Sequence, residues 1–128
     1  MFSFRPKQTG VLKGRLAPCP ASPNCVSSQA ESGRCQVEPL FFSGPPEEAM
    51  TRLKAIVERM PRTTLTVEKE SYLHFECASK WFGFVDDLEF LCHPDSHRID
   101  VRSASRLGYS DMGMNRKRTE VIRKEFNA

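Results

Sequence analysis

Asp86 breaks an apolar alternation that otherwise runs through Phe82, Phe84, Leu88, Phe90 and Cys92. On the next alternating segment, Ser103 and Ser105 stand where Ile99 and Val101 stand earlier. Further along, with Ile122 taken as the inward direction of a helix turning 100° per residue, Phe126, Thr119, Asn115 and Arg118 fall within about 60° of it. Polar side chains at matched positions on two elements describe a core with one hydrophilic end. A guanidinium taken out of water needs a counter-charge, because an uncompensated buried charge costs about 3–5 kcal/mol. Asp86 is the predicted partner of Arg118. Two chemistries suit these residue types. One is an ion-paired, hydrogen-bonded lock between helix and sheet. The other is a pocket in which Arg118, Asn115, the serines and the amides at the helix start, with Asp111 as N-cap, receive a small polar or anionic ligand.

Other chemistries find less support. Cys25 would be a nucleophile if a base produced its thiolate. However, His74 falls on the outer face of a predicted strand, and His93 and His97 flank a hairpin tip, so no histidine is paired with it. Cys19 and Cys25 are too widely spaced for a zinc knuckle and have no second pair, so neither a metal site nor a cofactor is expected. The five cysteines are an odd number. They read as thiols of a reducing compartment, and a Cys19–Cys25 disulfide is expected only in an oxidising one. Asp86 and Asp87 are adjacent and point to opposite faces of a strand, which excludes an acid/base dyad. Gly108 and Gly113 flank Tyr109-Ser110-Asp111 without a phosphate-loop lysine or a dinucleotide fingerprint. Arg116, Lys117 and Arg118 spread around a helix without interleaved aromatics, which reads as a solvated edge and argues against nucleic acid as a partner.

The elements that must position these residues are legible from periodicity. Ser43 is a candidate N-cap, with Pro45 and Pro46 in the first turn and Glu47 and Glu48 at the positive end of the dipole. Ala49, Leu53, Ile56, Val57 and Met60 recur at three- and four-residue spacing before Pro61, predicting an amphipathic helix over 46–60. Between 63 and 106 the period becomes 2. Leu65 and Val67 share one face of a first strand, and Leu73, Phe75 and Cys77 one face of a second. The third and fourth strands hold the positions named above. Short connections at Glu70-Ser71 and Pro94–His97 predict antiparallel hairpins. A four-residue loop at Pro94–His97 sets His93 opposite Arg98, Glu89 opposite Arg102 and Asp86 opposite Ser105. Glu89–Arg102, as an exposed cross-strand pair, would contribute only about 0.2–1 kcal/mol. A second helix is expected over about 112–126, capped by Asp111.

The whole chain is consistent with this picture. Its 128 residues, 39% hydrophobic and 27% charged, suit one globular domain. A formal net charge of +3 is too mild to mark a dedicated nucleic-acid binder. Residues 1–42 are rich in Pro and Gly and show no period, so they read as an irregular arm. Residues 1–15, with Arg5, Lys7, Lys13 and Arg15, read as a mobile basic tail before a single domain over 16–128. Arg5 and Lys7 also interrupt any secretory apolar stretch, and no membrane-spanning run occurs, so a cytoplasmic location is expected.

Three segments stand out: Cys19-Pro-Ala-Ser-Pro-Asn-Cys-Val-Ser-Ser, Phe84-Val-Asp-Asp-Leu-Glu-Phe, and Arg102-Ser-Ala-Ser-Arg-Leu-Gly-Tyr-Ser-Asp-Met-Gly-Met-Asn-Arg-Lys-Arg. Together they resemble the uncharacterised domain-of-unknown-function family 1499. The resemblance covers roughly residues 16–126 and implies a small domain with no established reaction. It also links the first segment to the other two, which implies that Asn24 and Cys25 fold over the polar end of the sheet. The expected architecture is α+β: a four-stranded antiparallel sheet covered on one face by two helices, with an irregular Pro-rich N-terminal arm. The expected function is non-catalytic binding of a small polar or anionic ligand at Asn24, Cys25, Asp86, Ser103, Ser105, Asp111, Asn115 and Arg118. Two alternatives stand beside it: a protein-interaction or assembly module working through the arm, with a purely structural polar cluster, and a thiol enzyme built on Cys25.

Overall fold

The computed structural model describes residues 9–31, 33–81, 83–108 and 110–128. The expectations placed on Arg5, Lys7, Phe82 and Tyr109 lie outside the described residues. In chain order the elements are β1 (Val11–Leu12), β2 (Arg15–Leu16), β3 (Cys25–Ser27), β4 (Leu40–Phe41), α1 (Pro46–Glu58), β5 (Thr63–Lys69), β6 (Tyr72–Ala78), β7 (Val85–His93), β8 (Arg98–Ser105) and α2 (Met114–Asn127), with one 3-10 turn at Pro94–Ser96.

β5 to β8 form the expected antiparallel meander, but the sheet is not four-stranded. It has six strands, because β3 and β4 both pair antiparallel with the free edge of β8, and β1–β2 is a separate two-stranded hairpin. Strands of two or three residues are too short to show a period. They form because the outer edge of β8 presents unpaired amides and carbonyls that need partners. The β7–β8 register is the one that a four-residue loop dictates: His93 faces Arg98, Glu89 faces Arg102 and Asp86 faces Ser105. His97 closes that loop in the left-handed conformation, at φ 52°.

β5 departs from strict alternation. A bulge shifts its register between Leu65 and Val67. Leu65 therefore packs on the main core, while Val67 turns to the opposite face against Leu16, Tyr72 and Leu91. Phe84, expected inside, precedes β7 and is exposed.

Both helices lie on the face that carries Leu73, Phe75, Leu88, Phe90, Ile99 and Val101. α1 starts after Pro45 rather than Ser43, without a side-chain cap, since the proline at the N-cap position has no side-chain acceptor to offer the first-turn amides. It buries Ala49, Met50, Leu53, Ile56 and Val57. α2 buries Asn115, Thr119, Ile122 and Phe126, and its N-cap position is Gly113 rather than Asp111. At the centre, Phe75 and Phe90 meet edge-on at 6.2 Å.

The opposite face of the sheet is also covered. Gly10 donates its amide to Glu89 at 2.7 Å, and Arg102 donates to the Pro18 carbonyl at 3.3 Å. Glu89 and Arg102 are therefore not the exposed pair that alternation suggests; they are 0% and 5% exposed. The arm that looked irregular lies over them and desolvates them. Among the described residues, no helix is long and apolar enough to cross a membrane.

Candidate functional site

The polar end of the core is assembled from three segments. β7 contributes Asp86, β8 contributes Ser103 and Ser105, and the first turns of α2 contribute Asn115 and Arg118. Arg118 forks: Nη2 meets Asp86 Oδ2 at 2.9 Å, while Nη1 donates to Ser103 Oγ at 3.1 Å and to Asn115 Oδ1 at 2.8 Å. Ser103 Oγ donates in turn to Asn115 Oδ1 at 2.6 Å. The other end of the Asn115 amide donates to Ser105 Oγ, Asp111 Oδ2 and the Asn24 carbonyl, at 3.1, 2.7 and 3.2 Å.

Asn24 joins the loop to this network twice over. Its carbonyl accepts the Ser105 amide at 2.9 Å, and its side chain donates to the Gly108 carbonyl at 2.8 Å. Asp111, displaced from the N-cap position, still performs the capping chemistry. Its carboxylate accepts the amides of Gly113 at 2.8 Å and Asn115 at 3.2 Å. Those amides, considered above as ligand donors, are thus already occupied.

Ser103 and Asn115 are wholly buried. Burial pushes the Asp86 carboxyl above the usual carboxylate range, against the opposing pull of the Arg118 charge and the Ser105 hydroxyl. The network satisfies its own donors and acceptors, which is how a lock between helix and sheet is built.

Cys25 is the one expected site residue that this network does not include. In the β3 register it lies opposite Ala104, on the far face from Ser103, and it forms a disulfide with Cys19. The expectation that all five cysteines stay as thiols is corrected here: only Cys35, Cys77 and Cys92 are free. A bonded Cys25 sulfur is not a nucleophile.

Cys25 and Asp111 instead line a cavity of about 380 Å³ between the Pro-rich loop and the start of α2. Pro20, Pro23 and Val26 supply its apolar wall, the exposed Arg34 and Arg116 its positive charge and Asp111 a negative one. Arg116 donates to the carbonyls of Gln36, at 2.9 Å, and Arg34; Arg34 donates to the Ala21 carbonyl at 3.1 Å. Among the described residues neither guanidinium meets a carboxylate within ion-pair distance. Sequence reasoning missed both, because nothing local marks an arginine in a loop as facing a helix more than eighty positions later.

It also missed a second polar network, on the arm-covered face of the sheet. His74 Nε2 lies 2.7 Å from Asp87 Oδ1, and Arg106 Nε donates to Asp87 Oδ2 at 2.8 Å. Tyr72 donates to Glu89, and Asp100 accepts from Ser28 at 2.6 Å and meets His93 at 2.8 Å. Burial alone would raise Asp87 and Asp100. The hydrogen bonds and charge of Arg106 and His74 on the first, and of Arg98 and Ser28 on the second, outweigh it and hold both carboxyls below the usual range. Tyr72 is pushed up, by burial and by its bond to Glu89. Register across β7 and β8 reveals Glu89–Arg102 but not His74–Asp87, Arg106–Asp87 or His93–Asp100, none of which are register partners, and the burial of this face was not visible without the arm in place.

A family model described as a protein of unknown function, DUF1499, matches residues 15–126. No curated protein matches the chain.

Proposed function

The chain belongs to the DUF1499 family, and on that premise we propose that it is a non-catalytic binding domain that takes a small anionic ligand at the polar end of the core. The ligand enters the cavity between the Pro-rich loop and α2. Asn24, Asp86, Ser103, Ser105, Asp111, Asn115 and Arg118 act beneath it as the lock that fixes its walls, and Cys25 and Asp111 belong to those walls. The observation behind this reading is the pair of guanidiniums, Arg34 and Arg116, on one cavity of about 380 Å³ with, among the described residues, only carbonyl oxygens as hydrogen-bond partners. Carbonyl dipoles orient these two exposed arginines, and a bidentate guanidinium fork suits carboxylate or phosphate. The size falls within the range of small-molecule sites.

Titration calorimetry with inorganic phosphate and with succinate, at low ionic strength, tests it. At least one of these anions is expected to bind and to raise the melting temperature, and the double variant Arg34→Gln/Arg116→Gln is expected to lose both effects while keeping the wild-type melting temperature without ligand. No binding of either anion, or equal binding by the double variant, overturns the reading.

A further inference from the structure

The disulfide has a free thiol on its flank. Cys25 borders the cavity described above, Cys19 borders a second one of about 300 Å³ under Arg15 to Pro18, and Cys35 borders both. The backbone explains this position. Gln36 bridges β3 in parallel at Ser27, and the Ser27 amide donates to the Cys35 carbonyl at 2.7 Å. The segment carrying Cys35 is therefore laid alongside the strand that begins at Cys25. Cys19 and Cys35 are both part-exposed. The other two thiols cannot compete: Cys77 and Cys92 belong to the main apolar core, and burial pushes both up, toward the unreactive form.

We propose that Cys35 is the resolving thiol of the Cys19–Cys25 bridge, so that the three cysteines form an internal thiol–disulfide exchange site. Cys35 gives its proton to solvent, and its thiolate attacks Cys19 Sγ. A Cys19–Cys35 bond forms as the Cys19–Cys25 bond breaks, and the electron pair of the broken bond leaves on Cys25 Sγ. One disulfide and one thiol are present before and after, so no oxidant or reductant is consumed. The leaving thiolate is released on the wall that Arg34 and Arg116 share, and nearby guanidinium charge favours a thiolate over a thiol. The exchange moves the anchor of the Arg15–Cys19 segment from β3 to the Cys35 segment, and it leaves Cys25 as a free thiol on the cavity wall only in the exchanged form. It uses the cavity walls but requires no anion in the cavity, so it stands or falls separately from ligand binding.

The test incubates the native protein near neutral and at about pH 8 without reductant, quenches in acid, alkylates thiols under denaturing conditions and maps the bridges by peptide mass spectrometry. Wild type is expected to contain both the Cys19–Cys25 form with Cys35 alkylated and the Cys19–Cys35 form with Cys25 alkylated, the second growing at the higher pH. The Cys35→Ser variant is expected to contain only the Cys19–Cys25 form. A wild-type sample with the Cys19–Cys25 bridge alone at both pH values overturns the proposal. That readout needs no variant, so it holds whatever the stability of Cys35→Ser.

Discussion

Arg118 is held by a carboxyl group that is itself reluctant to ionise. Asp86 titrates above the usual carboxylate range because burial outweighs the help it receives from Arg118 and Ser105. Its proton is bound more tightly in the folded chain than in the unfolded one. Native stability due to Asp86 is therefore full below its unfolded pKa and declines as pH rises from that value through the folded one. Arg118 limits this decline. Arg118→Ala should cost about 3 kcal/mol near pH 7, where it strands a mostly buried charge, and less in acid near pH 4, where the raised pKa leaves Asp86 protonated to a larger extent than an ordinary carboxyl. Urea unfolding at the two pH values checks this; an equal loss at both would mean that the arginine acts through packing and its bonds to Ser103 and Asn115 rather than through charge. Both partners were readable from the sequence because each is set by a local period: Asp86 by alternation along β7, Arg118 by the helical turn from Ile122. The full donor–acceptor pattern was not, since Asn24 enters through a backbone carbonyl, which no side-chain pattern records.

At the scale of elements, the edge of β8 decides more than any single strand does. β3 is three residues long and owes its place to that edge and to the bridge from Cys25 to Cys19. A bridge across a sequence separation of six closes a short loop, so the loss of chain entropy it imposes on the unfolded state is small. Cys19→Ser/Cys25→Ser should lower stability by about 2 kcal/mol. Hydrogen exchange should quicken at the β3 amides and stay slow in β6 and β7, which have partners on both sides. Uniform quickening across the sheet would show that the bridge supports the whole fold instead of one edge. β5 gives the complementary lesson. Its bulge sends Val67 to the arm-covered face, and neither residue of the Leu65–Val67 pair announces it, because a bulge answers to the register of the neighbouring strand.

Across the whole molecule the sheet is sandwiched between two unlike layers, helices on one face and an arm over buried ion pairs on the other. Their acids respond to pH in opposite senses. Asp87 and Asp100 have folded pKa values below their unfolded ones, so the stability they supply is complete above the unfolded value and is lost as pH falls through the folded values. The melting temperature should fall steeply with acid below about pH 4. Asp87→Asn and Asp100→Asn should each flatten that fall, whereas Asp86→Asn should not. A profile that stays steep in the Asp87 and Asp100 variants would assign acid sensitivity to other groups. The sequence by itself determined two helices, an antiparallel meander, its β7–β8 register and the inward turn of Arg118 and Asn115. All of these follow from spacing within one segment or from the length of one loop, and such local constraints hold before the chain collapses. The tertiary structure alone decided that two tiny strands complete the sheet, that Cys25 is bonded to Cys19, that Glu89 and Arg102 are buried, and that Arg34 and Arg116 share a cavity. Each depends on which distant segment comes to cover an edge or a face, and covering is a property of the assembled fold: the same side chain is solvated or desolvated according to what lies over it.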